Sequence, residues 1–93
     1  MNDILLFERA DKTSGATPFL RIERVCVKDG RLGVTVVSDC TQVDLYIGGE
    51  LRSRNKSSGT FQFDEELPAG GNTILRAESR DESTLFDEVS LTI

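Results

Sequence analysis

The sequence predicts an all-β protein whose strands stack as the two layers of a sandwich, and three observations lead to this fold class. Apolar and polar residues alternate in short segments, which is the pattern of strands with one buried face. Gly, Asn, Asp and Pro separate these segments at short, regular spacing. No segment of about ten residues carries the apolar period of a helix. About seven antiparallel strands can be placed, the number found in an immunoglobulin-like β-sandwich.

The first predicted pair of strands flanks Asp29-Gly30, a dipeptide that strongly favours a two-residue hairpin turn. The strands run from Phe19 to Lys28 and from Arg31 to Ser38. In this register Val25 lies opposite Val34, so the apolar faces of the two strands coincide.

The apolar alternation changes phase at two places around this hairpin. Leu20 and Ile22 have the opposite parity to Val25, which predicts a β-bulge near Glu23-Arg24. The polar segment from Ser38 to Thr41 ends the alternation. We expect the chain to cross there from one sheet to the other.

The second predicted hairpin spans Val43 to Leu51 and turns at Gly48-Gly49. A two-residue turn would set Leu45 opposite Arg52 and place charge on the apolar face. A three-residue loop, with a G1 bulge at the second glycine, sets Leu45 opposite Leu51, and we expect that register. The solvent face then carries Tyr46, Asp44, Glu50, Arg52 and Arg54.

Three further strands complete the predicted sandwich. They run from Thr60 to Glu66, from Thr73 to Ser79 and from Leu85 to Ile93. Their inward residues include Phe61, Phe63, Val89, Leu91 and Ile93. Ile74 and Leu75 are adjacent, and the alternation leaves open which of the two faces the core.

The length of 93 residues predicts one domain, residues 19–93, preceded by a tail or linker at residues 1–18. The apolar patch from Ile4 to Phe7 is a tail or an added edge strand, and we expect it to dock on the domain. The segment from Asp11 to Thr17 has the composition of a linker. No apolar run reaches the ~18 residues of a membrane span, and no signal-peptide pattern is present. We therefore expect a cytoplasmic monomer without membrane contact.

Charge and cysteine content exclude several classes of function. The net charge is −5, and an acidic surface repels phosphate backbones, so nucleic-acid binding is not expected. The absence of His excludes a Cys/His zinc site. Pairing across Asp29-Gly30 separates Cys26 from Cys40 by more than a disulfide can span, which predicts two free thiols.

Acidic pairs are the residues that suggest catalysis, since a glycosidase uses two carboxyl groups. Glu65-Glu66, Asp81-Glu82 and Asp87-Glu88 are predicted on strand faces or beside exposed turns, where solvent keeps carboxylates ionised. A Ca²⁺ site at the turn from Asp81 to Glu88 is a weaker alternative, because the spacing differs from that of an EF-hand. We expect no catalytic residue, no cofactor and no bound metal ion.

Tyr46 beside Arg52 and Arg54 is a candidate surface contact, because an aromatic ring next to guanidinium groups can stack a sugar ring. Ordinary cross-strand packing is the alternative. Arg52, Arg54 and Lys56 also fit a solvated edge that discourages aggregation.

The order of motifs resembles a known family. The matching segments are PFLRI (Pro18 to Ile22), VTVVSDCTQVDLYIGGEL (Val34 to Leu51), GTFQFDEELPAGGNTILRAES (Gly59 to Ser79) and LFDEVSLTI (Leu85 to Ile93). Together they resemble the C-terminal β-sandwich domain that follows the catalytic barrel in bacterial family-two glycoside hydrolases of the β-galactosidase type. The Asn-Gly hairpin of that family is Gly48-Gly49 here. Bacterial extracellular immunoglobulin-like modules use a similar hairpin.

The resemblance implies a non-catalytic accessory domain of a larger glycoside hydrolase in carbohydrate metabolism, with a neighbouring domain of the parent chain as its partner. The catalytic glutamates of that family lie on the barrel, so no catalytic residue can be assigned to this chain. An extracellular immunoglobulin-like binding or spacer module is the alternative. A carbohydrate-binding module is a third hypothesis, which requires an aromatic platform.

Overall fold

The structure is a computed structural model, and it describes residues 4–9, 19–68, 70–80 and 85–92. These residues form eight β-strands: β1 (Ile4–Glu8), β2 (Leu20–Lys28), β3 (Arg31–Ser38), β4 (Gln42–Ile47), β5 (Glu50–Lys56), β6 (Gly59–Glu66), β7 (Asn72–Ser79) and β8 (Phe86–Thr92). The described part of the chain contains no helix, and so no helix there could cross a membrane.

The strands form two four-stranded antiparallel sheets, which confirms the predicted β-sandwich. The first sheet has the order β1-β2-β3-β6 and the second has the order β5-β4-β7-β8. The chain crosses between the sheets after β3, at the polar segment where the alternation ends. Strands β2 to β8 thus divide between two sheets as in an immunoglobulin-like sandwich, and β1 adds an edge to the first sheet.

The first hairpin has the predicted turn and register. Asp29 and Gly30 have positive φ angles of 54° and 75°, which a type I′ turn requires at both central positions. Val25 lies opposite Val34, and a bulge interrupts the pairing between Ile22 and Arg24. The turn residues and the apolar alternation were sufficient to predict this hairpin, because both act between residues that are close in sequence.

The register predicted for the second hairpin is wrong. Gly48-Gly49 form a two-residue turn in which both φ angles are positive, and Tyr46 pairs with Leu51. A bulge in β5 then shifts the pairing, so that Leu45 lies opposite Ser53 and no charge enters the apolar face. The prediction placed the extra residue in the loop, whereas the chain places it one step inside the strand.

The core fills the space between the two sheets with aliphatic and aromatic side chains. Phe61 and Phe63 point inward as predicted, as do Val89 and Leu91. The other buried apolar residues packed with them are Leu20, Ile22, Val25, Leu32, Val34, Val36, Val43, Leu45, Ile47, Leu75 and Ala77. Leu75 faces the core and Ile74 faces outward, which settles the position that the alternation left open.

Polar bridges close both open sides of the sandwich. On one side, Asp87 on β8 accepts hydrogen bonds from the Ile22 backbone N–H at 2.9 Å and from Arg9 at 2.8 Å. On the other, the Ser53 hydroxyl donates to Glu65, joining β5 to β6. Asp87 was expected beside an exposed turn, and the structure places it within β8, half-buried against the first sheet.

The N-terminal apolar patch lies in β1, which pairs with β2 at the edge of the first sheet. Leu6 and Phe7 are partly buried against the core. The predicted linker from Asp11 to Thr17 lies outside the described residues. Cys26 and Cys40 are both free, as predicted, and Cys40 is buried.

Candidate interaction surface

The surface with the most developed chemistry is the outward side of β5, β4, β7 and β8, which we call the outer face of the second sheet. Residues directly opposite each other in an antiparallel pair share a face, so the strand registers define its members. They are Gln42, Asp44, Tyr46, Leu51, Arg54, Lys56, Asn72, Ile74, Arg76, Glu78, Phe86, Glu88, Ser90 and Thr92.

An open groove of about 670 Å³ runs across this face at the end near the Gly48-Gly49 turn. Tyr46 and Ile74 form part of its apolar lining, and the two turn glycines form its rim. The Gly48 N–H donates to the Ile74 carbonyl at 2.9 Å, which holds the turn of one hairpin against the neighbouring strand. The groove therefore depends on pairing between β4 and β7.

Arg76 is the centre of the polar half of the groove. Its guanidinium donates to Glu78 and to Glu88, both at 2.7 Å, and its Cζ atom lies 3.7 Å from the centre of the Phe86 ring. The hydrogen bonds that the guanidinium donates to Glu88 and Glu78 raise the pKa of Arg76 above its ordinary value. The charged guanidinium is thus held by two carboxylates and stacked on one aromatic ring.

Asp44 is buried on the same face, although its place in the alternation predicted a solvent-exposed carboxylate. Its side chain is 1% exposed, because Arg54 approaches one carboxylate oxygen at 3.3 Å and Arg80 approaches the other at 3.5 Å. The first oxygen has no partner with hydrogen-bond geometry. The expectation of exposure was wrong because Arg54 of β5 and Arg80, which follows β7, both lie against the carboxylate.

The three residues singled out from the sequence occupy different surroundings. Tyr46 lines the groove and lies opposite Arg76 of β7, a strand whose pairing the sequence did not reveal. Arg54 covers Asp44, and the Arg52 Nε lies 3.4 Å from a Glu50 carboxylate oxygen. A contact role for Tyr46, Arg52 and Arg54 stays a prediction.

Sequence reasoning missed four residues of the outer face on β7 and β8, namely Ile74, Arg76, Phe86 and Glu88. One signal was present, since the adjacent Ile74 and Leu75 require one large apolar side chain to face solvent. The second is Phe86, whose parity differs from that of Val89 and Leu91. Both point to apolar residues on an outer face.

Metal binding has no candidate among the described residues, because nowhere in them do three or more Asp, Glu or Cys side chains gather around a common point. The turn considered for Ca²⁺ includes residues 81–84, which lie outside the described part of the chain.

The fold defines the chain as a domain of the β-sandwich class. One solved structure that it resembles is an FMN-binding β-glucuronidase from Faecalibacterium prausnitzii L2-6, with a TM-score of 0.68 and 22% sequence identity. The likeness covers 84% of this chain and 12% of that chain, so this chain spans a small part of the enzyme's length. No protein-family model and no curated protein matches the sequence. At this identity the comparison shows a shared fold.

Proposed function

We propose that the chain is a non-catalytic accessory domain of a larger, cytoplasmic bacterial glycoside hydrolase of the β-galactosidase type. The observation that supports this proposal most is the likeness of 84% of the chain to 12% of a β-glucuronidase. An enzyme of that length has ample chain outside the matched part for a separate catalytic domain. The motif order of the sequence points in the same direction.

The chemistry of the acidic residues supports a non-catalytic role. Glycoside hydrolysis requires one carboxyl group that holds a proton and a second that is ionised, on either side of the scissile bond. Glu78 and Glu88 both accept hydrogen bonds from Arg76, and Asp87 accepts from Arg9 and a backbone N–H. These carboxyl groups are occupied in holding strands and arginines in place.

The reading frame that encodes the chain tests the proposal most directly. We expect it to encode a catalytic barrel on the N-terminal side of this domain. Tandem sandwich repeats behind a secretion signal would contradict the proposal and favour an extracellular spacer or binding module.

A second test uses the 93-residue chain itself. Incubated with nitrophenyl β-galactosides and β-glucuronides, the chain should release nitrophenol no faster than buffer. Turnover that disappears in a Glu78→Gln or Glu88→Gln variant would overturn the non-catalytic assignment. A Glu66→Gln variant serves as a control, because Glu66 lies on the other sheet.

A further inference from the structure

We propose that the outer face of the second sheet docks against a neighbouring domain of the same longer chain. The partner surface should carry apolar side chains opposite Leu51, Ile74 and Phe86, and acidic side chains where it meets β5. This inference rests on the proposed function only in that the chain is one domain of a longer protein. It holds whether or not the neighbour is a hydrolase.

Exposed apolar side chains concentrate on this face. Among the described residues, five large apolar side chains are exposed, and three of them are Leu51 at 40%, Ile74 at 44% and Phe86 at 47%. All three lie on the outer face of the second sheet. The other two, Ile4 and Leu5, lie on β1 of the first sheet. The first three lie on three different strands with Tyr46 and Arg76 between them, so together these side chains form a mixed apolar, aromatic and arginine surface of the kind found at interaction sites.

The remaining composition of the face is also that of an interface. Tyr and Arg are enriched at the centres of protein interfaces, and here Tyr46 lies directly opposite Arg76. Arg76 already has two carboxylate partners and an aromatic ring beneath it. Covering it removes water from a charge that remains hydrogen-bonded, which avoids the penalty of burying an unpaired ion.

The charges on β5 indicate which charge the partner surface carries opposite that strand. Arg54 and Lys56 lie on β5 at this face, and Asp44 on the neighbouring β4 offsets the charge of Arg54. This strip is therefore positive on a protein whose net charge is −5. Acidic groups opposite β5 would complement it, and electrostatic complementarity of this kind sets the orientation of docking.

The size of the face favours a tethered neighbour over a free partner. Four strands spaced about 4.8 Å apart and about six residues long present roughly 400 Å² on one side, or about 800 Å² for both surfaces. Stable complexes between separate proteins bury about 1,200–2,000 Å² in total. Contacts between domains of one chain bury about 600–1,500 Å², because the linker supplies a high effective concentration.

Hydroxyl-radical footprinting of the natural full-length protein and of the 93-residue chain tests the proposal. We expect oxidation of Phe86 and Tyr46 to be about fivefold slower in the full-length protein, since side chains at an interface centre lose most of their exposure. Leu5 on the first sheet is the internal control and should be labelled equally in both. Equal labelling of Phe86 in the two proteins would overturn the proposal.

Concentration provides the check against self-association. The 93-residue chain is labelled at two concentrations a hundredfold apart, beside light-scattering measurements of its mass. Protection of Phe86 that grows with concentration in a dimer would assign the face to a second copy and overturn the proposal.

A matched pair of variants separates docking from folding. Ile74→Lys places a charge at an exposed apolar position of the face, and Leu5→Lys makes the same change at a similarly exposed position elsewhere. Both isolated variant chains should fold, because neither side chain is in the core. In the full-length protein, Ile74→Lys should increase the fraction with Phe86 accessible by about tenfold. An equal effect of Leu5→Lys would overturn the proposal.

The outcomes distinguish this inference from the proposed function. A shielded face in a protein without a catalytic barrel would leave the docking surface standing and remove the hydrolase assignment. An unshielded face in a protein with an active barrel would remove the docking surface and leave the hydrolase assignment standing.

Discussion

Asp87 joins the two sheets at one open side of the sandwich. Its removal should destabilise the protein by more than the loss of a surface ion pair would. One carboxylate oxygen accepts from the Ile22 N–H at 2.9 Å and from the Arg9 guanidinium at 2.8 Å. Ile22 is fully buried beside the β-bulge of β2. In an Asp87→Ala variant, the Ile22 N–H loses the acceptor that the carboxylate provides.

The magnitude follows from these two contacts. An unpaired buried N–H costs about 1–3 kcal/mol, whereas a partly exposed ion pair contributes about 0.5 kcal/mol. The Arg9 and Asp87 side chains are 33% and 23% exposed, so solvent screens their attraction. Asp87→Ala should therefore lower the free energy of unfolding by about 2–3 kcal/mol, which corresponds to a fall in Tm of roughly 10–20 °C.

Urea unfolding followed by circular dichroism measures the loss, with two control variants. Arg9→Met removes the ion pair together with the 3.3 Å hydrogen bond from the Arg9 Nε to the Ile22 carbonyl, but it leaves the Ile22 N–H its acceptor, so it should lower the free energy of unfolding by about 1 kcal/mol. Asp87→Asn keeps a carbonyl oxygen for the Ile22 N–H, so its loss of unfolding free energy should lie between those of Asp87→Ala and Arg9→Met. If Asp87→Ala lowers the free energy of unfolding no more than Arg9→Met does, the Ile22 N–H does not depend on the Asp87 carboxylate.

Three further predictions concern the core, a turn and a thiol. Leu75→Ala should lower the free energy of unfolding by about 2–5 kcal/mol while Ile74→Ala changes it by less than about 1 kcal/mol, and equal losses in urea titrations would contradict the assignment of their faces. Gly49→Ala should cost about 1–2 kcal/mol because Gly49 has a φ of 85°. Gly33→Ala is the control, because an added Cβ there would lie at an ordinary 3.5 Å from the Cys26 sulfur. An equal fall in Tm for the two variants would contradict a left-handed backbone at Gly49. A thiol reagent should modify the buried Cys40 only after unfolding, and rapid reaction of two thiols in the native protein would show that this residue is accessible.

The two hairpins show how far local reasoning extends. In the first, turn dipeptide, apolar parity and bulge lie within a few residues of each other, and all were predictable from the sequence. In the second, Gly48-Gly49 specified a turn, but the register depended on where β5 absorbs one extra residue. The observed register leaves Leu51 exposed and lets the Ser53 hydroxyl donate to Glu65 of the opposite sheet, a contact that the sequence of the hairpin does not contain.

The outer face of the second sheet was largely beyond prediction for the same reason. Tyr46 was recognised as outward-facing, but its neighbours Arg76 and Phe86 come from strands that follow it by about thirty and forty positions in the sequence. Asp44 occupies an outward position and is nevertheless buried, because two arginines from other segments cover it. Alternation assigns a side chain to a face and does not say what lies over it.

The sequence by itself determined the fold class, the positions of most turns, the inward residues of β6 and β8 and the free thiols. Each follows from the period of a strand or the reach of a few bonds, which operate between near neighbours. The tertiary structure alone decided which strands pair, which acids bridge the sheets and which apolar residues share an outer face. These depend on contacts between segments far apart in the chain, where the balance of burial and hydrogen bonding is set by the whole sandwich.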